Sequence, residues 1–197
     1  MRNMTIQELY DHLNSPEFQK TDGNIFYNYY IYQYPAADEY KIRKQIEEFK
    51  SNLERPTTYI NAMSLDLFDV FCDYLKSETF GTESLFDATL REDQTTPEFV
   101  TNEANSDAFI RFVNKKIEDE ISANDGLNHP YVFIHGVGKI FPYLRTNVFL
   151  TKYEQYNDTS KYKIILFYPG HQEGNSFALF DKLDDSHTYR ATLLVNK

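Results

Sequence analysis

The run His135-Gly136-Val137-Gly138-Lys139-Ile140 sets two glycines and a lysine between an apolar stretch, Tyr131 to Ile134, and a segment with helical patterning. Such a turn could hold phosphate, because free backbone amides at a helix start attract anions. The P-loop pattern fails on count. Its first glycine would fall at Phe133, and the hydroxyl residue required after the lysine is Ile140, which cannot ligate magnesium. The dinucleotide fingerprint fails too, since its third glycine would fall at Phe141. A tight strand-to-helix turn that needs small residues is the preferred reading.

Other reactive side chains are scattered. The five histidines, His12, His129, His135, His171 and His187, show neither HExxH nor Cys/His ligand spacing. His171 and Glu173, just after Tyr168-Pro169-Gly170, could pair as acid and base on a strand-end loop, although surface residues are the simpler account. Cys72 stands alone in an apolar stripe and reads as a buried, inert thiol. Ser176 and Ser186 lack a nucleophile-elbow context. Arg145 follows Pro142 by three residues, one turn along an expected helix, and Arg190 lies between Tyr189 and Ala191. For both arginines a structural tie is the first expectation, and an anion or partner contact the second. No motif calls for a cofactor or a metal, and no enzyme class has positive support.

These residues need elements to hold them. Apolar spacing of three and four predicts helices at Thr5–Asn14, at Asp38–Glu54 through Ile42, Ile46, Phe49 and Leu53, and at Ser106–Ser122. Ser64 is expected to cap a further helix that carries Leu65, Phe68, Phe71, Cys72 and Leu75 and stops before Gly81. Strands are expected at Asn24–Tyr34, Thr57–Ala62, Tyr131–Ile134, Tyr162–Phe167 and Thr188–Val195, the last alternating as an edge strand would. Pro142 is expected in the first turn of a helix from Phe141 to Gln155. The alternation predicts one α/β domain over 1–197: a three-layer, Rossmann-like fold with about five mainly parallel strands and helices on both faces. The stretch 82–105, polar around Glu92-Asp93-Gln94-Thr95-Thr96-Pro97, is expected as a surface insertion between two helical pieces.

Composition narrows the partners. A net charge of −10 argues against a broad nucleic-acid face, which needs clustered Lys and Arg. The 16 Phe and 16 Tyr read as core packing before base stacking. No apolar run is long enough to span a bilayer and the first residues lack a signal-peptide core, so the expectation is a cytoplasmic protein without a membrane partner.

The ordered set of Gly136, Gly138, Pro142, Arg145, Tyr168-Pro169-Gly170, Phe180 and Tyr189-Arg190-Ala191 resembles the BrxB family, small components of bacteriophage-exclusion (BREX) systems. The resemblance spans most of the chain and is weakest over 82–105. It implies a phage-defence component working beside a methyltransferase, a large ATPase and a PglZ-type protein of the alkaline-phosphatase superfamily. It brings no catalytic residues, and the expected role is a non-catalytic subunit that binds the PglZ-type partner. A small-ligand sensor or enzyme using the loops after Ile134 and Phe167 is the alternative.

Overall fold

The computed structural model describes residues 2–19, 29–55, 58, 60–91, 96–123, 130–158, 161–173, 176–185 and 191–196. In chain order it begins with β1 (Arg2–Asn3), α1 (Ile6–Leu13), α2 (Pro16–Gln19), β2 (Tyr29–Tyr34), α3 (Glu39–Leu53), β3 (Ala62–Asp66) and α4 (Leu67–Ser77). A small hairpin, β4 (Thr79–Phe80) and β5 (Glu83–Ser84), leads to α5 (Leu85–Thr89), α6 (Pro97–Ala104) and α7 (Asp107–Ala123). The last third comprises β6 (Tyr131–His135), α8 (Val137–Ile140), α9 (Thr146–Tyr153), β7 (Lys163–Glu173), β8 (Ser176–Leu179), β9 (Leu183–Asp185), β10 (Ala191–Leu193) and β11 (Val195–Asn196).

Local signals start the helices where their side chains can satisfy free amides. Thr5 and Glu8 form a reciprocal capping box on α1, and Ser106 Oγ accepts from the Phe109 amide at 3.0 Å. Five strands lie parallel in the order β10-β2-β7-β6-β3, as expected for strand-helix alternation. Because successive side chains point to opposite faces, each central strand feeds two cores. Val132, Ile134, Ile164 and Leu166 join the core under α4, α7 and α9, whereas Tyr131, Phe133, Ile165 and Phe167 join the one under α1 and α3. Burying each such side chain contributes roughly 1.5–3 kcal/mol relative to exposure. The fold is therefore the expected three-layer α/β sandwich, with β10 and β3 at the two edges.

Most aromatics are spent in these cores. Among the described residues Tyr40 is the one strongly exposed ring. Lys163, which interrupts an otherwise apolar strand, is buried; its ammonium donates to the Phe18 carbonyl and lies 4.6 Å from the Phe18 ring centre.

Four expectations need correction. The second strand runs Ala62–Asp66, later than Thr57–Ala62, so Ser64 is mid-strand and Asp66 caps α4 instead. Alternation of Met63 and Leu65 toward one core outweighs the capping preference of a lone serine. The helix expected over Phe141–Gln155 is broken into α8 and α9. Phe141 precedes a proline and takes an extended ψ of 138°, which ends α8 at Ile140 and leaves Pro142 exposed in the intervening turn. Arg145 accordingly sits at the extended N-cap position of α9, not one turn into it. Finally, Tyr168-Pro169-Gly170 does not end its strand. β7 continues to Glu173, parallel to β2 through Pro169 and then antiparallel to β8 from Gly170.

The stretch 82–105 carries α5 and α6, whose Leu85 and Ala104 are buried with the main core. Residues 92–95 of its polar segment lie outside the described residues, as do 24–28 of the expected first strand and Thr188–Arg190 of the last.

Candidate functional site

The richest polar cluster forms where β3 and β6 end side by side. Their parallel register pairs Asp66 with His135, and Ser64 precedes Asp66 by two residues, so all three side chains share one face of the sheet. Ser64 Oγ lies 3.0 Å from His135 Nε2. His135 Nδ1 lies 3.4 Å from Asp66 Oδ2, at ion-pair distance but without hydrogen-bond alignment. Lys139, one turn into α8, donates to Asp66 Oδ2 at 2.5 Å and approaches Asp69 Oδ1 at 3.4 Å. The other Asp66 oxygen accepts from the amides of Phe68 and Asp69 at 3.2 and 3.3 Å, closing the N-terminus of α4.

Asp66 is thus the hub that ties two strands to two helices. Burial acts to raise its pKa, but the contacts with His135 and Lys139 together outweigh it and hold the carboxyl at about 2. Ser64, His135 and Asp66 lie in the order of a hydrolase triad, although no donor pair for an oxyanion is evident beside them among the described residues. The α4 amides that might serve are already held by Asp66. No group of His, Cys, Asp and Glu able to hold a metal occurs among the described residues.

The motif glycines are needed for steric reasons, Gly136 at this hub and the other two elsewhere. Gly136 has φ +75°, and a Cβ there would lie 2.3 Å from Asp66 Oδ1. A Cβ on Gly138 would lie 2.5 Å from the Phe180 ring, and one on Gly170 would lie 2.0 Å from the Ala178 carbonyl oxygen. Phe180 reaches Gly138 from a turn in which it and Asp181 both adopt positive φ, and its amide donates to the Pro169 carbonyl at 2.7 Å. Gly138→Val should therefore lower the melting temperature well below that of His171→Ala, whose ring bonds the half-exposed Asp181 at 2.7 Å. Equal melting temperatures for the two variants would contradict the packing of Phe180 on Gly138.

The remaining candidates separate. Arg145 and Tyr168 meet at a second, small cavity of about 180 Å³ that also includes Lys182 and Leu183. Tyr189 and Arg190 lie outside the described residues. His171 is on β7 and bonds Asp181, so the acid-base pair imagined with Glu173 is not what the ring makes. Cys72 is only partly buried, less than expected, and that burial pushes its thiol pKa up. Ser64 and Asp66 were missed at the sequence level because their partner His135 is about 70 residues distant and only strand register brings them together.

Beside the hub runs a groove of about 870 Å³ with Ser64, Asp66 and His135 in its lining. Most of the strands that frame it fall within one recognisable block of sequence: a model of the family described as "BREX protein BrxB" matches residues 63–194. The chain belongs to the BrxB family. Two curated relatives extend the likeness almost from end to end. One, from Bacillus cereus (strain H3081.97), is 23% identical over 207 aligned residues, covering 99% of this chain and 98% of that protein. Another, from Escherichia coli O9:H4 (strain HS), is 20% identical and covers 96% of this chain and 90% of its own. Both are named BREX protein BrxB. No solved structure matches the chain. Membership makes this chain a component of a BREX phage-defence system. Within the matched block lie Ser64, Asp66, His135, Gly136, Gly138 and Gly170, so the hub, the glycine that permits it and the other motif glycines belong to the region shared with the family.

Proposed function

We propose that this BrxB-family chain is a non-catalytic interaction subunit, a single cytoplasmic domain that binds a PglZ-type protein of its BREX system. One observation carries the reading: the three motif glycines are consumed by architecture. Gly136 makes room for Asp66, Gly138 for Phe180 and Gly170 for the β8 backbone, while Asp66 itself is spent on Lys139 and the α4 cap. Residues used in this way preserve a surface instead of performing a reaction. No helix among the described residues is long and apolar enough to cross a membrane, which agrees with this placement. A charge of −10 makes a direct nucleic-acid role for this subunit unfavourable at long range.

Co-expression with the PglZ-type protein of its operon should give a complex that survives size-exclusion chromatography at physiological salt. Separate elution of the two proteins contradicts the proposal. The alternative, a small-ligand sensor or enzyme, is favoured by the Ser64–His135–Asp66 alignment beside a groove. Ser64→Ala distinguishes the two. An interaction subunit should keep phage defence within a few-fold, because the variant loses one hydrogen bond worth about 1 kcal/mol. A hydroxyl nucleophile should lose defence altogether while the fold and the complex persist.

A further inference from the structure

β3 is the last strand of the sheet, and its outer side meets no other strand among the described residues. The Tyr131 amide donates to the Asn61 carbonyl at 2.9 Å, which fixes the phase of the β3–β6 ladder. In a parallel pair that phase turns the backbone groups of Met63 and Leu65 toward β6, and those of Ala62 and Ser64 toward the open edge. The groove lies along this edge. α3 forms one wall with Arg43, Lys44 and Glu47; α4 and α7 form the other, with Asp69 and Asp73 facing Lys116, Asp119 and Glu120. An unpaired edge between two helical walls is the geometry that accepts one more strand from another chain.

Charge selects the occupant. The lining holds six carboxylates against three lysine or arginine side chains. Asp73 is neutralised by Lys116 at 2.8 Å and Asp66 by Lys139, whereas Glu47 and Asp119 have no ion pair among the described residues. A second copy of the chain would bring a like-charged lining against this one, at a net charge of −10 each. A lysine- or arginine-bearing segment would instead complement the carboxylate excess of the α4–α7 wall, together with Glu47 of the α3 wall.

We infer that the β3 edge groove binds an extended basic segment of a protein partner as an added strand, with the Ala62 and Ser64 backbone supplying main-chain bonds and Glu47 and Asp119 selecting positive side chains. The five residues of β3 span roughly 17 Å, at about 3.3 Å per residue, so the segment is about five residues long. This inference rests on the interaction-subunit reading and gives that subunit its docking surface.

The test compares hydrogen exchange of the free chain with that of its complex with the PglZ-type protein of the operon. The Ala62 and Ser64 amides should exchange readily in the free chain and become protected in the complex. A Glu47→Lys/Asp119→Lys variant, altered only at exposed helix positions, should keep its melting temperature and bind at least ten-fold more weakly. A complex that leaves these amides unprotected, or that the double variant forms with unchanged affinity, overturns the groove and leaves the subunit reading intact. Protection of β3 by self-association in the isolated protein also overturns it. If no complex forms, an acetylated hexapeptide of alternating lysine and valine decides the matter by NMR. Selective shifts of the β3 amides, absent with the glutamate–valine counterpart, uphold the groove for a different partner, and their absence overturns the groove together with the PglZ assignment.

Discussion

Gly136→Ala should lower the stability of this protein by about 3 kcal/mol, although it adds one methyl group. Two effects combine. The residue sits at φ +75°, where an L side chain costs roughly 1–2 kcal/mol. The new Cβ would also lie 2.3 Å from Asp66 Oδ1 and 2.8 Å from its carboxyl carbon, so the carboxylate must move. Moving it disturbs the Lys139 contact and the α4 cap together. For a chain of this length the melting temperature should fall by roughly 6–12 °C. A double-mutant cycle isolates the collision. In an Asp66→Ala background the same substitution should cost only about 1 kcal/mol, because backbone strain alone remains. An equal cost in both backgrounds would rule out the collision as the cause.

The second large effect concerns Asp66 and pH. Its folded-state pKa, about 2, lies below the ordinary 3.8, so folding favours the ionised form. The sign follows directly: its stabilisation is complete above the unfolded value and is lost as pH falls through the folded one. Asp66 is only 10% exposed, so solvent screening removes little, and a shift of this size corresponds to about 2 kcal/mol. Wild-type protein should therefore lose about that much more stability between pH 4 and pH 2 than Asp66→Asn does, measured by urea unfolding. At pH 7 the variant should already be weaker, since a neutral amide cannot pair with Lys139. Parallel stability curves for the two proteins from pH 7 to pH 2 would remove Asp66 from its place as the hub.

Much of the architecture was legible in the chain. The stripe Ile42, Ile46, Phe49 and Leu53 announced α3 to within a residue at each end, because helix burial repeats at a fixed spacing. Tyr131 to Ile134 read as a short apolar strand and Tyr162 to Phe167 as one covered on both faces, and both are central. The turn at Gly136-Val137-Gly138 was also recognised as one needing small residues. What it needed room for was not visible. Asp66 and Phe180 are 70 and 42 residues away in sequence, and neither carries a local mark of its role.

The errors share a cause. Ser64 and Pro142 were assigned from local preferences for cap and first turn, and in both cases neighbouring constraints were stronger. Met63 and Leu65 are fixed by the core, and Phe141 is extended because a proline follows it. Tyr168-Pro169-Gly170 was expected to end the strand that covers Tyr162 to Phe167. The strand passes through it because β2 ends opposite Pro169, and β8 then takes over the pairing from Gly170.

By itself, then, the sequence determined the layers of this protein, the parallel alternation of strand and helix, the acidic surface and the resemblance to BrxB, since each depends on periodicity, composition or the order of short motifs. Tertiary structure alone decided which side chains meet. Strand register set Ser64 and Asp66 against His135, helix α8 brought Lys139 back to the same carboxylate, and the order of strands left β3 with an open edge beside an acidic α4–α7 wall. Those are long-range pairings, fixed by how whole faces pack, and no local pattern encodes them.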